Sequence, residues 1–119
     1  MSESIVKKKS FDFAVRVTRF YREFTERERE FVISKQLLRS GTSICANVRE
    51  AMNSQTKREF VYKLSLSQKE CDETQFWLEL LLASDYITPS EFESLHSDAT
   101  SLLKIIRSII LTTKTKHNL

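Results

Sequence analysis

Glu93 and His96 stand three residues apart in "EFESLH". On a helix this spacing puts a carboxylate and an imidazole on one face, the pairing with which di-iron helix bundles hold metal. Such centres need a second Glu-x-x-His pair and carboxylates from the other helices. The 119-residue chain has one such pair and two histidines in all. Glu93 and His96 also fall off the apolar stripe of Phe92, Leu95 and Ala99, so they are expected to face solvent and to hold no metal. "RSGTS", Arg39 to Ser43, sets an arginine beside small hydroxyl residues, but it lacks the glycine spacing, the lysine and the preceding strand of a P-loop. His117, near the C-terminus, has no nucleophile or acid at a telling spacing, so no catalytic constellation forms. Cys45 and Cys71 each sit among apolar helical positions with no CxxC or histidine-rich neighbourhood and read as buried, reduced thiols. The expectation is a protein without cofactor, metal or enzymatic activity.

The residues that call for another explanation lie in "QLLRSGTSICANVREA". Leu37, Ile44, Val48 and Ala51 recur at helical spacing, while Arg39, Ser40, Thr42, Ser43, Asn47 and Glu50 fill the positions between them. The elements on either side decide what those polar residues meet.

A first helix follows Ser10, a candidate N-cap, with Phe13, Val17, Phe20 and Phe24 on one face; "SIVKKK" could extend it backwards. "TERERE" breaks the pattern, and Ser34 is the candidate cap of a second helix reaching about Asn53. "NSQT" is the next break. A third helix covers about Gln55 to Ser84, with Phe60, Leu64, Cys71, Leu78 and Leu82 inward. Thr88, Pro89 and Glu91 then supply a cap, a proline at the first helical position and an acid three residues after the cap. The fourth helix turns Phe92, Leu95, Ala99, Leu102, Ile106 and Ile109 to one side. Four amphipathic helices with short connections imply an all-α, antiparallel up-down-up-down four-helix bundle in one domain, 1–119. Residues up to about 9 and from about 114 onward read as flexible ends.

One glycine and one proline fit long, uninterrupted elements. No apolar run approaches the roughly 20 residues of a membrane span, and "MSESIVKKKSFDF" lacks a signal-peptide core, so a cytoplasmic protein is expected. The net charge is +3. Met1 to Asn53 carries 11 Lys and Arg against 7 Asp and Glu, whereas Ser54 to Leu119 carries 8 against 9. The positive excess therefore belongs to the first half, a bias that favours nucleic acid and is also compatible with an ordinary solvated face.

In a hairpin of the second and third helices turning near Asn53 to Thr56, Arg39 comes opposite Glu70 and Gln36 opposite Glu73. Ser43 then falls near Ser67, and Asn47 near Tyr62 and Lys63. The preferred reading is a polar seam of Arg39, Ser43, Asn47, Glu50, Glu70 and Glu73, with a partly buried Arg39–Glu70 pair fixing register. Small residues Ser40, Gly41 and Ser43 would let these two backbones approach. The plainer alternative is a set of surface i,i+4 neighbours. On the third helix Tyr62, Leu66, Trp77 and Leu80 lie opposite Leu64 and Leu78, giving a second apolar face. It reads as a subunit interface rather than a scatter of exposed apolar residues.

"SFDFAVR", "QLLRSGTSICANVREA", "KREFVYKLSLSQKECDETQFWLELL" and "SLLKIIRSII" together resemble the four-helix-bundle family of proteins encoded in intervening sequences of 23S rRNA genes. The resemblance runs from about Ser10 to Thr113. It implies a bacterial up-down bundle that assembles as a homopentamer and has no established enzymatic activity. Related proteins include the accessory variability determinant of diversity-generating retroelements, a basic pentameric barrel that associates with a reverse transcriptase and nucleic acid. The ribosomal label reflects gene location in some members. Arg39, Ser40, Ser43, Asn47, Glu50, Lys63, Glu70, Glu73 and Trp77 match the family pattern, whereas Cys45 and Cys71 stand where other small residues are expected.

Two functional readings follow. The first is a non-enzymatic, oligomeric nucleic-acid-associated protein, contacting the phosphates of RNA or DNA through Lys7, Lys8, Lys9, Arg16, Arg19 and Arg22. Its partners would be further copies of itself and RNA or a nucleic-acid-processing protein, with no membrane. The second is a protein-interaction scaffold or accessory subunit that docks through the apolar face of the third helix and does not itself bind nucleic acid.

Overall fold

The inward stripe of the first helix begins at Val6 and continues through Ser10, Phe13, Val17 and Phe24, all buried. In a computed structural model, which describes residues 2–119, helix α1 accordingly spans Ser2–Glu28. Met1 of the expected loose N-terminal end lies outside the described residues. Ser10 is not an N-cap. It sits inside the helix and its hydroxyl donates to the Lys7 carbonyl at 3.1 Å. The lysine run Lys7–Lys9 has good helix propensity and continues the turn, and the buried Val6 anchors it. The other helices are α2, Ile33–Met52, α3, Lys57–Ala83, and α4, Pro89–His117. The C-terminal residues expected to fray from about 114 remain helical to His117.

The helix ends show which local signals operate. Thr88 caps α4 as expected: its Oγ1 accepts from the Glu91 amide at 3.1 Å, and the Glu91 carboxylate accepts from the Thr88 amide at 3.0 Å. Thr56 caps α3 with its Oγ1, which accepts from the Glu59 amide at 3.0 Å, while the Glu59 carboxylate accepts from the Gln55 amide and not from that of Thr56. Ser34, by contrast, is not the cap of α2. It lies one residue inside the helix, buried, with its hydroxyl donating to the Glu30 carbonyl at 2.7 Å.

The capping group of α2 is the Glu30 side chain, which accepts from the amides of Val32, Ile33 and Ser34 at 2.8–2.9 Å. Burial pushes this carboxyl up, but the Ile33, Ser34 and Val32 amides outweigh it and hold the group below the ordinary carboxyl range. A lowered folded-state value contributes stability at neutral pH that is lost as pH falls below about 4.3 and through the folded value. Glu30→Ala should therefore cost about 1–2 kcal/mol at pH 7, the range for loss of a helix cap, and much less near pH 3. Urea titrations at the two pH values measure this. Equal losses at both would show that the carboxylate charge does not cap the helix.

Cross-helix contacts set the topology. Gly41 of α2 lies against Val17 of α1, and Arg49 lies over Phe11. Ser67 of α3 donates to the Ile44 carbonyl of α2 at 2.8 Å, and Lys63 pairs with Glu50 at 2.7 Å. Gln75 of α3 donates to Thr100 of α4 at 2.8 Å, while Glu79 lies 3.3 Å from His96. Arg16 and Arg27 of α1 pair with Asp98 and Glu91 of α4. In every pair residue numbers rise on one helix as they fall on its neighbour. The four helices thus run up-down-up-down around a core of residues such as Phe24, Leu37, Ile44, Leu64, Leu78, Leu81 and Ile106, in a bundle 48 Å long.

Candidate nucleic-acid interface

The basic residues of α1 do not share one environment. Lys7, Lys8 and Lys9 are exposed, and Lys8 pairs with Asp12 at 2.9 Å. Arg16 is committed within the fold. One guanidinium nitrogen pairs with Asp98 and the other donates to the Ser94 hydroxyl at 2.8 Å, joining α1 to α4. Arg19 and Arg22 are exposed along a shallow groove that also takes in Phe11, Ala14 and Val15. Arg16 and Arg19 also line a groove with Phe20, Glu23 and Ser90, but Arg16 is tied to α4, so the three arginines form no single free contact strip.

Folding gathers charge in a way that chain order hides. Antiparallel packing brings the start of α1, the end of α2, the start of α3 and the end of α4 to one end of the bundle. That half, residues 2–14, 43–69 and 103–119, carries 12 Lys and Arg against four Asp and Glu, a surplus of eight. The other half, 15–42 and 70–102, carries seven against 12, a deficit of five. A net charge of +3 thus divides into a strongly basic pole and an acidic one. Exposed Lys57, Arg58, Lys104, Arg107, Lys114 and Lys116 join Lys7 and Lys9 at the basic pole. Dividing the charge along the chain passes over the first six of these, because they belong to its nearly neutral second half.

The α2–α3 seam has two layers. Outside, the Arg39 guanidinium lies 3.4 Å from both Glu70 oxygens, pairs with Glu73, and donates to Gln36 Oε1 at 3.2 Å. Arg39 is 45% exposed, so the expected partly buried pair is instead a surface cluster that solvent screens. Lys63 turns to Glu50. Asn47 donates to the Ser43 carbonyl within its own helix at 3.0 Å. Inside, the buried polar contacts are hydroxyls: Thr74 Oγ1 lies 2.9 Å from Ser40 Oγ, and Ser67 donates to the Ile44 carbonyl. Gly41 does not serve this seam, since it faces α1.

On the outward face of α3, Tyr62 is exposed, while Leu66, Trp77 and Leu80 are half-buried. Phe76, four residues before Leu80 and so within about 40° of both Tyr62 and Leu80 on the helix, extends this strip; it is exposed and meets Trp77 edge-on at 4.7 Å. The Trp77 indole nitrogen is buried, and no acceptor reaches it among the described residues. An unpaired buried donor of this kind costs about 1–3 kcal/mol.

The metal-like pair resolves differently from expectation in one half. Glu93 is exposed, but His96 is half-buried, stacked on Phe92 at 4.7 Å and facing Glu79. Among the described residues no group of three metal-ligating side chains comes together. Cys45 and Cys71 are both buried and free. No helix among the described residues is long and apolar enough to cross a membrane.

The sequence profile of the 23S rRNA-intervening sequence proteins matches residues 2–108. The chain belongs to that family. The match takes in all of α1, α2 and α3 and most of α4. Among solved structures, this 23S rRNA-intervening sequence protein is similar to a protein of unknown function from the S23 ribosomal protein family of Bacteroides thetaiotaomicron, known from a crystal structure at 1.70 Å resolution. The two are 47% identical, with a TM-score of 0.91, covering 92% of this chain and 98% of the other. Comparison with curated proteins gives no match.

Proposed function

We propose that this family member is a non-enzymatic, oligomeric, cytoplasmic protein that associates with nucleic acid, RNA or DNA, through its basic pole. The observation that carries the reading is the surplus of eight positive charges on one half of the bundle. Lys and Arg on helices neutralise phosphates and release counterions, so binding would be salt-sensitive and largely independent of sequence. The outward strip of Tyr62, Leu66, Trp77 and Leu80, extended by Phe76, supplies the surface for assembly, with the homopentamer as the expected state. A ring repeats each basic pole, and weak contacts then act together. In this reading Lys7, Lys9, Lys57, Arg107 and Lys114 contact phosphates, Arg16 holds α1 to α4, and Arg19 and Arg22, which lie on the acidic half, stand outside the contact surface. The same exposed aromatic strip favours a second reading, a scaffold for a nucleic-acid-processing protein.

Titration of a structured RNA and a DNA duplex at 50 and 200 mM salt, with sedimentation of the same samples, tests the proposal. Affinity is expected to fall about a thousandfold or more over this range if six or more phosphates are contacted. Replacing Lys7, Lys9, Arg107 and Lys114 with Gln should weaken binding to every sequence and lower the salt slope by about 0.9 for each phosphate no longer neutralised. Arg16→Gln, which removes a surface pair between α1 and α4 on the half away from the basic pole, should leave the slope unchanged. An intact oligomer that binds neither polymer at low salt would leave the scaffold reading alone.

A further inference from the structure

We infer that a cavity at the basic pole, between the start of α3 and the last turns of α4, is a binding site for a phosphate group. The inference deepens the nucleic-acid reading and rests on it only for the origin of the phosphate. The cavity has a volume of about 330 Å³. Ser108, Thr112 and Lys116 follow one another at intervals of four along α4, so helical geometry stacks them on one side. His117 stands beside Lys116, and Lys57, the first residue of α3, closes the cavity from across the bundle.

Four of the lining side chains have a role that phosphate chemistry requires. Lys57 and Lys116 supply two ammonium groups, enough to neutralise a phosphate dianion. Ser108 and Thr112 present hydroxyls able to donate to its oxygens. Lys57 also stands where the positive end of the α3 dipole adds to the field. Glu3 is the single acid on the wall and opposes an anion. Its position gives the site a test of sign, because removing its charge should strengthen binding.

Lys57 lies more than fifty positions from Lys116 and His117, and those two belong to the tail expected to fray. Only the antiparallel return of α4 brings the three together. The groove along Arg19 and Arg22 differs in kind: it offers guanidinium groups above apolar Phe11, Ala14 and Val15 and no cluster of hydroxyls.

Equilibrium dialysis of the full chain against radiolabelled inorganic phosphate, at ionic strength held constant with chloride, tests the site. Saturable binding of one phosphate per chain is expected. Lys57→Gln and Lys116→Gln should each weaken it about tenfold, the double variant more, and Glu3→Gln should tighten it. Lys35→Gln, an exposed lysine at the opposite pole, should change nothing. Binding that never saturates, or that Lys35→Gln weakens as much as Lys116→Gln, would overturn the site.

A parallel titration with a short oligonucleotide, with and without a 5′-phosphate, separates the two levels. Tighter binding of the phosphorylated form, abolished in the double variant, assigns the site to a nucleic-acid end. Saturable phosphate binding without oligonucleotide binding keeps the site, assigns it to a small phosphate ester and overturns the nucleic-acid reading. Oligonucleotide binding without saturable phosphate binding overturns the site and keeps that reading.

Discussion

Replacing Gly41 with leucine is expected to destabilise the bundle by about 3 kcal/mol or more, one of the largest effects of any single substitution outside the apolar core. A Cβ at this position would lie 3.0 Å from both Cγ atoms of Val17 and 3.3 Å from its Cβ. Val17 is fully buried on α1, and a β-branched side chain in a helix has essentially one rotamer, so it cannot swing aside. Glycine inside a helix costs about 1 kcal/mol relative to alanine, and here that cost is set against the close approach of α1 and α2. Gly41→Ala should consequently be nearly neutral or mildly destabilising, as its propensity gain and its contact with Val17 oppose each other. Leucine has no such balance. Val17→Ala should recover part of the Gly41→Leu loss, because the two sites share one contact. Urea denaturation of the single and double variants measures the effect. A Gly41→Leu protein as stable as the parent would mean that α1 and α2 do not meet at this point.

The second large effect concerns Cys71. Burial pushes this thiol up to about 12, and the neighbouring Glu70 charge acts in the same direction. Against an ordinary thiol, the thiolate population at pH 8 falls by about a thousandfold. Labelling of native protein with iodoacetamide, followed residue by residue by mass spectrometry, should therefore modify Cys71 only as fast as the bundle opens. Labelling at the rate of an unfolded peptide would refute the buried, protonated state.

The sign of the accompanying pH effect follows from the same value. The unfolded chain releases the Cys71 proton from about pH 9, while the folded chain keeps it to about 12. The stabilising difference is thus fully present below pH 9 and is lost between these values by about 1.4 kcal/mol per pH unit. Cys71→Ala removes this slope but leaves a small cavity, so the comparison is between slopes and not between stabilities at one pH.

The charge division bears on how the two functional readings relate. The acidic pole concentrates Asp72, Glu79, Asp85 and Glu93, all exposed. On the proposed nucleic-acid reading it would repel the polyanion that the opposite pole would bind. A polyanion would therefore meet the bundle from one end only, whereas the Tyr62–Phe76–Leu80 strip runs along its side. On that reading nucleic-acid contact and subunit contact would use separate surfaces, so the effect of substitutions at Lys7, Lys9, Arg107 and Lys114 would be read in an intact assembly.

Interactions within a few residues of chain are legible in the sequence. The stripes of Phe13 and Val17, of Leu37, Ile44 and Val48, of Leu64, Cys71 and Leu78, and of Leu95, Leu102 and Ile106 are helix periods, and each is buried. The Thr88–Pro89–Glu91 start of α4 acts over a single turn and stands as read. The opposition of Arg39 to Glu70 follows from a short hairpin loop that leaves little freedom of register. The fold class follows from the same signals, since four such helices with short links must bury their stripes against one another.

Other features depend on tertiary packing, because a helix wheel gives the angle of a residue but not the neighbour at that angle. Gly41 is expected at the α2–α3 seam and faces Val17 of α1 instead. His96 leaves the apolar stripe yet finds cover on Phe92 and a partner in Glu79. Ser34 resembles a cap, but the Glu30 carboxylate reaches three amides first and the Ser34 hydroxyl turns inward. The distribution of charge shows the principle at the largest scale. Counted along the chain, the first half is mildly basic and the second nearly neutral. Antiparallel packing reverses alternate helices, so that Lys7, Lys57 and Lys116, far apart in sequence, share one pole, and electrostatic potential depends on distance in space.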